Sequence, residues 1–302
     1  MNKIIKAIRN PRKILYYITI KCVNILPDSI FLKLVFYSRL GYKLNLKKPK
    51  SFNEKLQWLK LYDKHPEYTK MVDKIDAKTY VASVVGDKYL IPTIGTWNTV
   101  DDINWETLPN RFVVKSTNDS GGVVVCKDKK KLDITKAKEK LRSTGGRDYT
   151  TISKEYPYKN VPHRYIAEEY VEDESGYELK DYKIFCFDGE PKFLFVATGR
   201  QQNDTRFDFY DLEFNHLPVL NGHPNADQWP IKPKNFEEML DVAKKLSKGL
   251  PHVRVDLYNV NGRIYFGELT FFHWSGIVPF EPVEWDYKFG EYLKLPQNKS
   301  LI

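Results

Sequence analysis

Cysteine is scarce: Cys22, Cys126 and Cys186 are the only three in 302 residues, and they are far apart and odd in number. That argues against a disulfide framework and fits a reducing compartment. The six histidines, at 65, 163, 216, 223, 252 and 273, show no zinc-ligand spacing. No G-x-x-x-x-G-K-[ST] run occurs, so any bound nucleotide is held by a device other than a Walker loop. The Asp-x-Asp triplet common among metal-dependent sugar-nucleotide transferases is missing too. Apolar runs free of charge fall far short of the ~20 residues that span a bilayer, and no small-residue cleavage site follows the first apolar stretch. Internal repeats and low-complexity tracts are absent. What remains is a folded chain, 42% hydrophobic, expected to reside in the cytoplasm and large enough for two domains or one multi-lobed unit.

Acids are nearly absent from residues 1–50, where Asp28 stands against twelve Lys or Arg. The segment is therefore +11, and the rest of the chain, which totals +9, is −2. A near-neutral body with one basic, apolar end predicts contact with an anionic surface, first of all the inner face of a membrane, rather than nucleic acid. The segment would lie on that membrane as amphipathic helices, broken at Pro11 and Pro27. The alternative is that these helices pack on the body.

Ser51 and Glu54 have capping-box spacing and predict a helix to about Tyr62. A second helix is expected over Thr69 to Val85, closed by Gly86, and a third from Asn235 and Glu238 to about Gly249. The apolar face of the third is read as Phe236, Leu240, Ala243 and Leu246. Between the second and third helices the pattern turns to strands, at 112–114, 123–126, 165–168, 182–187 and 192–197, with Asp188-Gly189 joining the last two. Two further strands, 253–260 and 264–271, flank Asn261-Gly262. The expected class is α+β with largely antiparallel sheets.

Three stretches carry ionisable residues inside strand-like runs. In RVDLYNVNGRIYFGELTF, Arg254, Asp256 and Tyr258 share one strand face, and Glu268 and Thr270 share a face of the next strand. A two-residue turn at Asn261-Gly262 pairs Asp256 with Gly267 and sends Glu268 to the far side, so an odd loop length is required for the carboxylates to meet. Together they would form a set of hard oxygen ligands suited to Mg²⁺. In RFVVKSTNDSGGVVVCKD, Lys115 ends a strand, and Gly121 and Gly122 allow backbone N–H groups to approach a phosphate; a plain hairpin explains the same residues. In RYIAEEYVEDESGYELKDYKIFCFDG, a strand ends at Glu168 and a later one carries Lys183, which needs an anionic partner: Glu168, Asp181 or a phosphate.

Taken in order, these stretches resemble the ATP-grasp superfamily. SFNEKLQWLKLYD, DYKIFCFDGEPKF and RVDLYNVNGRIYFGELTF look like its teichuronopeptide-biosynthesis branch, found among bacterial cell-surface polysaccharide (capsule) genes and often labelled glycosyltransferase. The resemblance covers roughly residues 50–295. It implies an ATP-grasp fold with sheets enclosing a nucleotide cleft, ATP and Mg²⁺ as cofactors, and roles for particular positions. Lys74 and Lys115 would contact phosphates, with Lys183 also on the nucleotide. Ser116 to Gly122 would form the phosphate loop, and Glu168, Glu169, Tyr170 and Val171 the adenine hinge. Asp256 and Glu268 would bind the metal, helped by Thr270 where many relatives have Asn, and Arg254 would stand beside the transferred phosphoryl group. Ser275 and Gly276 lie where related ligases hold an acceptor carboxylate; Arg200 and Arg206 are further candidates for an anionic acceptor.

The implied division is a basic helical segment at 1–50 and a catalytic unit at 51–302, with lobes at 51–108, 109–170 (nucleotide) and 171–302 (metal and acceptor). The implied reaction joins a carboxylate, such as a uronic acid of a glycan, to an amine, such as an amino acid, through an acyl phosphate. Two alternatives stand beside it: a glycosyltransferase, and a non-catalytic glycan- or membrane-binding protein with a degenerate site.

Overall fold

The computed structural model describes residues 10–118, 121–145, 149–176 and 178–297. Two antiparallel sheets organise them. The smaller contains β1 (Thr93–Trp97), β2 (Phe112–Ser116), β3 (Val123–Cys126) and β4 (Tyr165–Glu169) in the order β1-β4-β2-β3. The larger contains β5 (Asp181–Phe187), β6 (Glu190–Thr198), β7 (Arg206–Tyr210), β8 (His216–Leu217), β9 (His252–Val260) and β10 (Arg263–Thr270) in the order β10-β9-β5-β6-β7-β8. The expected α+β class with antiparallel sheets is what the chain adopts. Sequence patterning did not reveal β1, β7 or β8. β1 is a short edge strand interrupted by a register shift between Thr93 and Gly95, and β7 buries Asp208 among its aromatics, where His216 Nε2 (3.2 Å) and the Ala226 amide (3.2 Å) hold its carboxylate.

Helices cover these sheets. α1 (Pro11–Lys21) and α2 (Asp28–Leu40) precede the body, with Pro11 opening the first and Pro27 capping the second. α3 (Phe52–Tyr62) starts with both halves of the expected capping box: Ser51 Oγ accepts from the Glu54 amide and Glu54 from the Ser51 amide, each at 3.2 Å. The expected helix over 69–85 is instead two, α4 (Glu67–Val72) and α5 (Asp76–Val85). Asp73 makes the break, because its carboxylate accepts from the amides of Ile75 (2.7 Å) and Asp76 (3.0 Å) and so begins a new helix. α6 (Ile134–Gly145) and α7 (Tyr149–Ser153) lie between β3 and β4. α8 (Phe236–Ser247) follows Asn235, which does not cap it: that residue is left-handed (φ 63°) and its amide donates to Gly262 O instead. The buried side of α8 is Phe236, Met239, Val242, Ala243 and Leu246, with Leu240 only partly covered. α9 (Glu284–Tyr292) closes against α3.

The main core lies between the larger sheet and helices α3, α5, α8 and α9; β5, with β6 and β9 on either side, is buried along its whole length. A smaller core under the four-stranded sheet joins Trp105, Phe112, Val114, Ala137 and Leu141. Cys126 and Cys186 are buried free thiols. α1 and α2 form a third cluster around Phe31, Leu32, Val35 and Phe36, which meets Leu61 of α3 and Ile277. One side of the basic segment therefore does pack on the body. Residues 1–9 of that segment lie outside the described residues.

Candidate active site

Strand register brings the charged residues of three distant stretches into rows. Lys183 on β5 pairs with Asp256 on β9, and Asp256 pairs with Glu268 on β10. One step along, Arg254 is opposite Thr270. The expected odd-length turn is not what achieves this. Val260 pairs with Arg263, so the loop is the two residues Asn261 and Gly262, both with positive φ as a type I′ hairpin demands. A β-bulge at Gly267 shifts the register between Phe266 and Glu268, and this extra residue carries Glu268 back to the side of Asp256. Glycine suits the position, since a Cβ there would stand 3.1 Å from Asp256 O and 3.3 Å from the Tyr258 ring.

Arg254 ties the rows together. Its Nε donates to Asp256 Oδ1 (2.6 Å), and its Nη2 to Asp256 Oδ2 (2.7 Å), Thr270 Oγ1 (3.0 Å) and Glu268 Oε1 (3.1 Å). Nη1 donates to His273 Nδ1 at 2.8 Å, so that nitrogen is bare and His273 is neutral, with Nε2–H donating to Asn221 Oδ1 at 2.8 Å. Burial, with Arg254 and Lys183 adding to it, holds the His273 pKa well below the ordinary imidazole range. Lys183 Nζ meets Asp256 Oδ2, and Asp181 Oδ2 at 2.7 Å; Asp181 Oδ2 also accepts from Arg200 Nη1 at 2.7 Å. Of the anionic partners expected for Lys183, Asp181 is the one realised, joined by Asp256.

The two carboxyls respond differently to these surroundings. Asp256 is 1% exposed, and burial pushes its pKa up to about 6 against the pull of Arg254 and Lys183. Burial acts on Glu268 in the same sense but is outweighed by Lys183, Arg254 and Lys74, which hold it at about 2. Its side chain is 49% exposed because it faces a cavity, whereas Asp256 lies behind the cavity wall.

Two cavities flank this cluster. The first, about 900 Å³, lies between the sheets and is lined by Lys115, Val123, Glu168, Glu169, Tyr170 and Val171, with Tyr258 and Arg200 opposite. Glu168 does not present a free carboxylate there: Lys115 and Lys78 each bond it at 2.5 Å, and although burial pushes its pKa up, these two lysines bring it below the ordinary carboxylate range. The second cavity, about 700 Å³, is lined by Lys74, Lys183, Arg254, Glu268, Thr270 and Ser275 among others, and Arg200 borders both. Lys74 reaches it from the break between α4 and α5, where its Nζ lies 3.4 Å from Thr117 O. Gly276 sits behind this wall, its carbonyl accepting from Gln57. Arg206 is engaged by Asp204 and Asn225 O. Of the expected phosphate loop, residues 119 and 120 lie outside the described residues; Ser116 N donates to Gly122 O at 2.8 Å and closes its base.

Lys60 and Glu155, which sequence patterning missed, stand beside the expected Ser275 at the second cavity. Ser275 sits in a left-handed run with Trp274 and Gly276 (φ 47°, 56° and 61°). Lys60, 2% exposed, donates to Ser275 Oγ (2.6 Å) and Ser275 O (2.9 Å) and stands 4.0 Å from Glu155 on the cavity wall. Burial pushes Lys60 down to about 8 and Glu155 above the usual carboxylate range. Lys78 was legible as the residue one turn beyond Lys74, and His273 as the single basic group in FFHWSG; Lys60 gave no local signal.

The oxygen set fits Mg²⁺, a cation commonly held by one or two carboxylates plus substrate phosphates. Asp256 and Glu268 are adjacent and on one face; Glu268 is open to the cavity, whereas both oxygens of the buried Asp256 accept from Arg254 and Lys183, so a cation on Asp256 would have to share them with these two groups. Among the described residues no three His, Cys, Asp or Glu side chains converge on a metal position, so phosphate oxygens and water would have to complete the shell. Thr270 Oγ1 lines the cavity but already accepts from Arg254 and donates to Glu268 at 3.2 Å, so it too is engaged within the row.

A family model described as TupA-like ATP-grasp matches residues 54–294. No curated relative matches. Among solved structures, the D-alanine–D-alanine ligase of Helicobacter pylori is 16% identical with a TM-score of 0.42, covering 74% of this chain and 61% of that one. The Bacillus anthracis D-alanine–D-alanine ligase complexed with ATP is 15% identical (TM-score 0.40; 67% and 54%). The Staphylococcus aureus N5-carboxyaminoimidazole synthetase complexed with ADP is also 15% identical (TM-score 0.41; 66% and 44%). The chain thus spans 44% to 61% of the length of these proteins, and likenesses of this size carry no argument about reaction or substrate.

Proposed function

We propose that this chain, which belongs to the TupA-like ATP-grasp family, is an ATP-dependent carboxylate–amine ligase acting through an acyl phosphate, on a cell-surface polysaccharide or its precursor. The observation that carries this reading is the Lys183–Asp256–Glu268 row, bridged by Arg254 and set beside two cavities that share Arg200. The first cavity suits a nucleotide, with Lys115 at its wall as the phosphate cation. The second suits the carboxylate and amine substrates.

In the proposed reaction a carboxylate oxygen attacks the γ-phosphorus of ATP and ADP leaves; the amine then attacks the acyl carbon and phosphate leaves. Mg²⁺, held by Asp256 and Glu268, would supply neutralisation of the triphosphate charge. Lys74 and Lys183 place further positive charge on the wall of the second cavity, where Glu268 opens. Arg254, locked by Asp256, Thr270 and His273, offers a guanidinium that need not reorganise as charge develops. Neutral His273 supports it without adding a competing cation. Glu155, its pKa raised by burial, is the carboxylate on that wall suited to take the proton the amine must lose.

The test is to incubate the purified protein with Mg·ATP, uronic acids or their glycans, and amino acids, following phosphate release and product mass. Phosphate release that needs both substrates, with a product lighter than their sum by one water, is expected. Sugar transfer from a nucleotide donor without ATP would replace this reading with the glycosyltransferase one.

The bulge makes a separate prediction. Gly267→Val puts a branched side chain against Asp256 O and the Tyr258 ring and should displace Glu268, lowering kcat by up to about 10²-fold with little change in ATP affinity. Steady-state kinetics and a nucleotide titration measure the two. Wild-type kcat in this variant would show that the bulge does not need a bare α-carbon.

A further inference from the structure

The second side of the basic N-terminal segment is exposed among the described residues and has a distinctive make-up. On α1, Thr19, Tyr16 and Ile20 turn toward the cluster shared with α2. Ile14, Tyr17, Ile18 and Lys21 occupy the helical stripe i, i+3, i+4, i+7 on the opposite side. All four are exposed, and Ile25 extends the apolar exposure beyond the helix end. Tyr17 is 67% exposed, Ile18 56% and Ile25 79%, unusually open for side chains of this size. Lys13 flanks the stripe and Lys21 ends it, while Arg12 lies on the other side, against Gly41 at the end of α2. α2 repeats the pattern, exposing Ile30, Lys33 and Tyr37 at i, i+3 and i+7.

We infer that this face seats the protein on an anionic phospholipid bilayer, with α1 lying in the headgroup region. α1 has eleven residues, roughly 16 Å of helix against the ~30 Å of a hydrocarbon core, and no helix of the described residues is long and apolar enough to cross a membrane. It lies on the surface rather than crossing. An interleaved apolar and cationic face is what a headgroup layer rewards, since aliphatic groups enter the acyl boundary while ammonium and guanidinium groups stay with the phosphates.

Charge selects this occupant over others. The only acid of the segment, Asp28, is already paired with Lys154 at 2.9 Å, so no carboxylate in residues 1–50 offsets the cations at the surface. A second copy of the chain docked face to face would bring two +11 segments together. A nucleic acid would use the cations but leave Ile14, Ile18 and Ile25 in water. The body, at −2 overall, adds little repulsion from an anionic surface. None of this depends on the proposed reaction.

The test is co-sedimentation of the full-length chain with phosphatidylcholine vesicles, with and without phosphatidylglycerol, across a salt series. Wild type should partition at least about tenfold better onto the anionic vesicles and lose that advantage as NaCl rises. Tyr17→Ser/Ile18→Ser/Ile25→Ser should lower partitioning at least about tenfold while its thermal midpoint stays within a few degrees of wild type. Equal partitioning of wild type onto neutral and anionic vesicles overturns the inference without recourse to any variant. So does a triple variant that binds as wild type does, a wild-type dimer in analytical ultracentrifugation that the variant abolishes, or RNA binding in place of vesicle binding.

Discussion

Asp256→Asn is expected to reduce ATP-dependent turnover by about 10²–10³-fold and to cost about 3 kcal/mol of stability. Asp256 is the anion on which Arg254 and Lys183 converge, and a neutral amide leaves two buried cations with less than their compensating charge. Glu268→Gln separates the two effects. It should lose activity to a similar extent but change stability by under about 1 kcal/mol, because Glu268 is half open to the cavity and accepts from Arg254 only at its edge. Phosphate-release kinetics and urea midpoints on the two variants make the comparison. Normal turnover in Asp256→Asn would end the metal assignment, and equal stability losses would mark the whole row as a structural ion-pair network.

His252→Phe is expected to protect the protein against acid. His252 is 1% exposed, stacks on Phe187 at 4.7 Å, bonds Cys186 O through Nδ1 at 2.9 Å and, among the described residues, finds no partner for Nε2. Burial pushes its pKa down to about 3. Below pH ~6.5 the unfolded chain takes up a proton that the folded chain refuses until about pH 3, so acid favours unfolding through this residue. The stability difference between variant and wild type should shift toward the variant by about 1.4 kcal/mol per pH unit, or about 2.7 kcal/mol by pH 4.5. Denaturation curves at pH 7, 5.5 and 4.5 test it, and other titrating groups cancel in the difference. Parallel dependence in both proteins would mean that His252 protonates equally well when folded.

Local chemistry made much of this legible beforehand. The capping box, the aromatic and β-branched runs and the two positive-φ turns placed α3 and seven of the strands to within about two residues, as such signals do when tertiary structure agrees with them. Arg254, Asp256, Glu268 and Lys115 were visible because charge inside or beside apolar strands is conspicuous, whereas Lys74, between two helices, came only from the family resemblance. Lys60 and Glu155 were not: their link joins positions almost a hundred residues apart, and Ser275 lies a further hundred on, so no window of sequence contains it. The break at Asp73 hid in a continuous helical pattern because one side chain redirected two amides. At the hairpin an odd loop was required because the ladder was assumed unbroken, whereas the loop is the two residues Asn261 and Gly262. The single glycine between Phe266 and Glu268 was the available sign that the ladder breaks.

That glycine also frees the hairpin tip. If the turn alone decided which side Glu268 faced, any one-residue change in loop length would threaten the carboxylate pair. With the register reset at Gly267, and β9 anchored along β5 on its other edge, the Asn261-Gly262 tip can vary in length while the residues below it stay aligned. An epitope or a fluorescent reporter inserted there would forfeit the bond from Asn235 to Gly262 O but leave the Asp256–Glu268 pairing, which is set below the bulge, in register.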